Sequence, residues 1–224
     1  MVHEARYSMN VFISGATGYL GRALTQSLLA RGHRVRGLVR PGSESKLPAG
    51  CEAVTGNALD GSSFKPQGDV VVHLVGTPKP APWKGREFRA VDLPSLRASV
   101  EAASRERIAQ FVYVSVAHPA PVMKSYIAVR QECEEILRNS GMHAAVLRPW
   151  YVLGPGHWWP YALLPAYKLM ELLPFTRESA LRLGLVTHSE MIRAMIWEIE
   201  NPRTGQRILD VPAIRRTAED VRPA

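Results

Sequence analysis

Cysteine is nearly missing from this chain of 224 residues: there are two, Cys51 and Cys133, and they lack metal-ligand spacing. A disulfide framework and a cysteine zinc site are thereby excluded, and reduced thiols in a cytoplasmic setting are the plain reading. The seven histidines form no HxxxH or HExxH arrangement, so no metal site is expected. No apolar run reaches membrane-spanning length, and residues 1–10 carry no apolar segment of the kind a secretory signal needs. The formal charge is +8, yet the arginines are scattered rather than gathered into one basic run. Nucleic acid is therefore not an expected partner. An arginine-rich solvated surface accounts for the balance, with attraction to anionic cofactors, lipids or acidic partners as the alternative.

What is present is ordinary globular material, 46% hydrophobic and 21% charged, enough for one sizeable core. Short apolar runs bounded by turn residues alternate with helical patterns, and there is no internal repeat. The pattern predicts strands over 9–14, 34–39, 51–55, 69–74, 110–115 and 143–148, and helices over 19–31, 86–105, 124–140 and 188–200. The expected fold is a doubly wound parallel α/β sheet, with residues 1–224 forming one domain. Arg31-Gly32 supplies a cationic last turn and a C-cap glycine for the first helix, and Thr187 or Ser189 a cap for the last. After Gly156 the sequence turns aromatic and proline-broken, from Trp158 to Met170. Residues 156–187 read as a small insertion. A helix packed on the sheet edge, a lid over an apolar substrate, a homodimer contact and a patch resting on a membrane surface all remain open for it.

The most informative stretch is Ser14-Gly15-Ala16-Thr17-Gly18-Tyr19-Leu20-Gly21, placed between the first strand and the first helix. That order suits a dinucleotide pyrophosphate. Glycines permit the tight turn, the backbone's approach to phosphate and close helix–strand packing, and the first helical N–H groups face the anion. The spacing Gly15-x-x-Gly18-x-x-Gly21 resembles the extended and atypical branches of the short-chain dehydrogenase/reductase superfamily, which include NmrA-like members. Val70–Gly76, Phe111–Ser115 and Leu147-Arg148-Pro149 through Gly154-Pro155-Gly156 resemble that family's fourth strand, fifth strand, and sixth strand with its RP…GPG loop.

The resemblance implies a Rossmann fold and a pyridine dinucleotide. It places Gly15, Thr17, Gly18, Tyr19, Leu20 and Gly21 on the pyrophosphate. Arg40 and Ser43 stand where NAD enzymes carry an acidic residue. No carboxylate occurs between Arg34 and Ser43, so NADP(H) is preferred over NAD(H). Asn57 and Ala58 fall at the adenine, with the Asn57 amide oxygen as acceptor. Val75, Gly76 and Thr77 lie beneath the ribose and pyrophosphate, where a side chain at Gly76 is expected to strike the cofactor. Ser115 closes the fifth strand, and Pro149, Trp150, Tyr151 and Val152 run past the nicotinamide.

The family's chemistry uses a tyrosine and, four residues later, a lysine. Here the positions hold Tyr126 and Arg130, which share one helix face. The family's catalytic hydroxyl is replaced by Ala117, followed by His118, and Asp92 stands where extended members commonly carry asparagine. Tyr126 with Arg130 reads either as an acid/base or cofactor-positioning pair, or as an ordinary surface tyrosine with a solvated neighbour. His118 reads as a structural loop histidine or as a replacement proton donor. His73, inside an apolar run, reads as a satisfied core histidine. Trp83, Trp158 and Trp159 either line a pocket or simply pack. Two functions follow from the resemblance: an oxidoreductase on an unidentified small carbonyl or related substrate, or a non-catalytic NADP(H)-binding regulator or accessory protein. The short region after the sixth strand speaks against a sugar-nucleotide epimerase.

Overall fold

The computed structural model describes residues 8–155 and 181–221. Strand and helix alternate from the start: β1 (Asn10–Ser14), α1 (Tyr19–Ala30), β2 (Arg34–Val39), β3 (Glu52–Thr55) and β4 (Val70–His73). A single helical turn, α2 (Gly85–Glu87), a wider π turn (Phe88–Asp92) and α3 (Leu93–Arg105) follow without interruption. Then come β5 (Gln110–Val114), α4 (Lys124–Asn139), β6 (His143–Leu147), β7 (Tyr151–Leu153), β8 (Leu185–Thr187), α5 (His188–Glu200), β9 (Gln206–Leu209) and α6 (Val211–Glu219).

Seven strands form one sheet in the order β3-β2-β1-β4-β5-β6-β9, and every pairing in it is parallel. β7 and β8 pair separately. The strand order reverses between β1 and β4, where the chain leaves in opposite directions. That geometry opens a crevice at the strands' carboxyl ends. β1 alternates across the sheet: Val11 and Ile13 join the core under α1, α5 and α6, whereas Phe12 joins the core under α3 and α4. Both faces are thus covered, as a parallel sheet requires. The fold is the doubly wound Rossmann type expected.

Three details differ from the sequence reading. The helix expected over 86–105 is interrupted by the π turn, because Pro94 has no N–H to continue the ladder into the turn before it. This turn carries Asp92 to the interior, 1% exposed. The edge strand β9 and the helix α6 were not anticipated. Asp210 caps Ala213 N and a proline stands in the first turn, a start signal legible in Asp210-Val211-Pro212. Most of the expected insertion, including Trp158–Met170, lies outside the described residues. Of the two caps proposed for α5, Thr187 is the one used, in a reciprocal capping box with Glu190.

The end of α5 is tied to the end of α1. Glu200 accepts from Arg31 at 2.6 and 2.7 Å and pairs with His33 at 2.9 Å. Burial opposes its charge, but the bonds from His33 and Arg31 outweigh it and bring Glu200 from 4.5 down to about 2. A depressed carboxylate contributes stability that is complete above its unfolded value and is lost as pH falls through the folded one. Glu200→Gln should therefore flatten the acid limb of the stability curve between about pH 4.5 and 2. Chemical denaturation at stepped pH measures this, and a limb unchanged in the variant contradicts it.

Candidate functional site

At the crevice between β1 and β4 lies a cleft of about 270 Å³. Its walls include Gly15, Gly18, Tyr19, Leu20 and Gly21 from the first turn, Val75, Gly76 and Thr77 after β4, and Tyr126 and Arg130 from α4. Ten sequence-predicted positions thus meet around one space, with Leu74, Pro80 and Val114 beside them. Thr17 is half-buried in the same turn.

The turn tolerates no side chain at two of its glycines. Gly15 has φ +89°, and a Cβ there would stand 2.8 Å from the Leu74 carbonyl carbon. A Cβ on Gly21 would stand 2.1 Å from Gly15 O, so α1 reaches the strand only because that atom is missing. Gly18 begins α1 in an extended conformation, with no side-chain cap and no acidic residue in the first turn. The helix therefore presents uncapped N–H groups and positive dipole to the cleft, the arrangement that holds a diphosphate. Tyr19 packs edge-on against His188, centroids 4.6 Å apart, and a Cβ on Gly154 would lie 2.2 Å from the Tyr19 hydroxyl. Gly154 and His188 were missed from the sequence, since only the fold brings the loop after β7 over the glycine turn.

Arg130 is the main departure from expectation. It is 7% exposed. One guanidinium nitrogen donates to Asp92 Oδ1 at 2.7 Å, and the other donates to Tyr113 Oη and Val114 O, both at 3.0 Å. Burial opposes its charge, but Tyr113, Tyr126 and Asp92 more than compensate and push its proton affinity further up. Arg130 is therefore neither a solvated neighbour nor a freely placed substitute for a lysine ammonium. The Gly76 expectation changes as well. A Cβ there would meet the Arg130 guanidinium at 2.7 Å and Asp92 Oδ1 at 3.2 Å, so this glycine first makes room for the ion pair. Among the described residues, Arg130 Nε is buried without a hydrogen-bond partner. An orphan donor in the wall of a glycine-lined cleft fits a polar, anionic occupant.

Tyr126 is half-buried rather than a surface residue, tilted against Phe88 with centroids 4.8 Å apart and lying 5.0 Å from the Arg130 guanidinium carbon. Burial pushes its hydroxyl up from the ordinary value, and Arg130 offsets only part of that. His73 is a satisfied core histidine. Its Nδ1 lies 2.9 Å from both Ser14 Oγ and Ser99 Oγ, and burial together with Arg130 brings it down to about 3.

Ser115 and His118 face a second buried cluster. Ser115 Oγ donates to Glu134 Oε1 at 2.5 Å, so its hydroxyl is committed there rather than to the cleft. Arg148 forks onto both Glu134 oxygens. His118 Nε2 stands 3.7 Å from Glu134 Oε1, and burial and Arg148 hold the ring below its usual value against the pull of Glu134. Ala117, 1% exposed, offers no hydroxyl and donates its N–H to Pro149 O. Trp150 packs edge-on against Tyr151, and Tyr151 and Val152 enter β7. None of Ser115, His118, Pro149, Trp150, Tyr151 or Val152 is in the described wall of the cleft. Glu134 could have been suspected from its place one helical turn after Arg130.

After β2, Arg40 is exposed and opens a turn closed by Ser43 N on Arg40 O at 3.0 Å. Glu44, just past the stretch without carboxylates, accepts from Gly42 N at 3.1 Å and so places an acidic group in this turn. Asn57 Oδ1 accepts from Leu59 N at 3.1 Å, and Ala58 packs on the core.

A family model described as NAD(P)H-binding matches residues 15–155, from the first glycine to the end of β7's loop. The chain belongs to this NAD(P)H-binding family. It is 29% identical to ceramide reductase of Caulobacter vibrioides over 214 residues, 92% of this chain and 65% of that protein. To the photosystem II assembly factor Ycf39 of Cyanophora paradoxa it is 26% identical over 147 residues, 62% of this chain and 44% of that protein. The chain thus spans less than two thirds of either relative. In fold it is similar to WbmH of Bordetella bronchiseptica, solved in complex with NAD+, with TM-score 0.67, 22% identity, and 95% of this chain and 80% of that one covered. The family match thus gives NAD(P)H binding, and the structural likeness gives the Rossmann fold. No helix among the described residues is long and apolar enough to cross a membrane.

Proposed function

We propose that this chain is an NADP(H)-dependent oxidoreductase that reduces a small carbonyl compound. The observation carrying the reading is that Tyr126 stands in the wall of the glycine-lined cleft, beside the buried cation Arg130. When bound, the dihydronicotinamide supplies a hydride. The chain's own part is to seat the diphosphate on the first N–H groups of α1, to exclude water with Tyr126, whose ring rests on the buried Phe88, and to hold a proton on the Tyr126 hydroxyl. The likeness to a reductase supports the reductive direction. We read residues 156–187 as a substrate-side insertion. We place the protein in the cytoplasm, with a small molecule as its substrate.

Arg40 supports the NADP(H) preference, since its guanidinium is exposed at the end of β2 and can fork onto a 2′-phosphate. Arg40→Ala is expected to weaken NADPH binding by about tenfold or more while leaving NADH unchanged. Fluorescence titration with the two nucleotides measures this, and equal loss for both refutes the role. The oxidoreductase reading itself is tested by Tyr126→Phe. NADPH affinity should persist while NADPH oxidation across a panel of aldehydes and ketones disappears.

A second reading has its own observation. Ala117 offers no hydroxyl, Ser115 is turned to Glu134, and the cation four residues after Tyr126 is paired with Asp92. A cleft that holds NADP(H) without turnover, as a sensor or an assembly protein, is consistent with these departures and with the likeness to an assembly factor. Tight NADPH binding with no oxidation by any carbonyl favours it.

A further inference from the structure

Asp92 sits at the end of the π turn with its side chain 0% exposed. Both its oxygens are engaged. Oδ1 accepts from Arg130 at 2.7 Å, while Oδ2 accepts from Thr77 N at 3.0 Å and from Thr77 Oγ1 at 2.6 Å. Asp92 therefore links the loop after β4 to α4 across the floor of the cleft, and Gly76 leaves the space in which the two charges meet. The groups that face Tyr126 are Arg130 and Cys133 from its own helix and Asp92 from the π turn. From β5, Tyr113 shares Arg130 with it. An isolated cation 5.0 Å from the Tyr126 ring would favour tyrosinate. Pairing with the Asp92 carboxylate at 2.7 Å weakens that pull without cancelling it.

We propose that Asp92 is a positioning residue for Tyr126: it fixes the Arg130 guanidinium against the cleft wall and weakens its charge there, so that the Tyr126 phenol stays protonated, ready to donate to a carbonyl oxygen. This rests on the reductase reading above. In the step, the carbonyl carbon gains a hydride with its electron pair from the dihydronicotinamide, which leaves oxidised. The carbonyl oxygen gains the Tyr126 proton as the phenol O–H bond breaks, and the tyrosinate recovers a proton from water. The weakened cation gives the tyrosinate less stabilisation than an isolated one would, which favours its return to the protonated form.

The test is a pH titration, by carbon NMR, of the full chain labelled at tyrosine Cζ, without nucleotide; Tyr126→Phe identifies the resonance. Asp92→Asn should make Tyr126 ionise at lower pH, with a several-fold larger tyrosinate fraction at a fixed alkaline pH. The double variant Asp92→Asn with Arg130→Gln should abolish that shift, Tyr126 ionising at no lower pH than in wild type, because the cation released by the first change is removed by the second. An unchanged titration in Asp92→Asn overturns the proposal. So does a double variant that ionises at lower pH than wild type, since the shift would then not come from Arg130. The double variant keeps no unpaired buried charge and decides the question even if the single one does not fold. Calorimetry with NADPH on the same wild-type sample reports separately on the dinucleotide reading, because the tyrosine titration needs no bound nucleotide.

Discussion

Gly21→Ala should weaken NAD(P)H binding by on the order of a hundredfold, equivalent to about 2.7 kcal/mol. The added Cβ would fall 2.1 Å from Gly15 O and 2.9 Å from Ala16 Cα, both backbone atoms. No rotamer change relieves a contact with backbone, so the start of α1 must move away from β1. The N–H groups that face the cleft move with it, and the site loses the register on which a diphosphate depends. Overpacking of this kind also costs about 1–3 kcal/mol of stability. The two effects separate in experiment: binding is measured by calorimetry below the unfolding transition, and stability by urea denaturation. Full affinity in a folded Gly21→Ala protein would mean that the diphosphate is not held by this turn.

Arg130→Met should cost about 3–5 kcal/mol of unfolding free energy, because it leaves the Asp92 carboxylate buried without its cation. Thr77 still donates twice to that carboxylate, but two neutral donors do not replace a charge. Adding Asp92→Leu should recover most of the loss, since a buried pair exchanged for apolar groups of similar volume is often close to neutral. Denaturant titration of the two variants against wild type gives the answer. A cost near zero for Arg130→Met would show that the ion pair does not anchor α4 to the π turn. The double variant should keep the fold.

The parallel sheet was legible because its signal is local. Val11-Phe12-Ile13, Val70-Val71-Val72 and Phe111-Val112 are short apolar runs, and the glycine turn lies between a strand and a helix pattern. That ten of the expected positions would share one cleft was legible for the same reason: they come from three contiguous stretches of chain. What escaped depends on contacts between distant segments. Asp92 could be read only as a departure from a family pattern, because its partners Thr77 and Arg130 lie 15 and 38 residues away. Ser115 looked like a cofactor contact from its place at the end of β5, yet the pleat directs its hydroxyl to Glu134 on the neighbouring helix. The edge strand β9 is four residues long, with one buried position, too little for periodicity to detect. Asp210 and Pro212 did announce α6, a cue weaker in isolation than any of the glycines.

The most direct measurement is a crystal structure of the protein grown with NADPH. The diphosphate should lie against the N–H groups at the start of α1, the 2′-phosphate near Arg40, and the nicotinamide beside Tyr126. A diphosphate bound elsewhere on the molecule, or a cleft that stays empty at saturating nucleotide, would contradict the account.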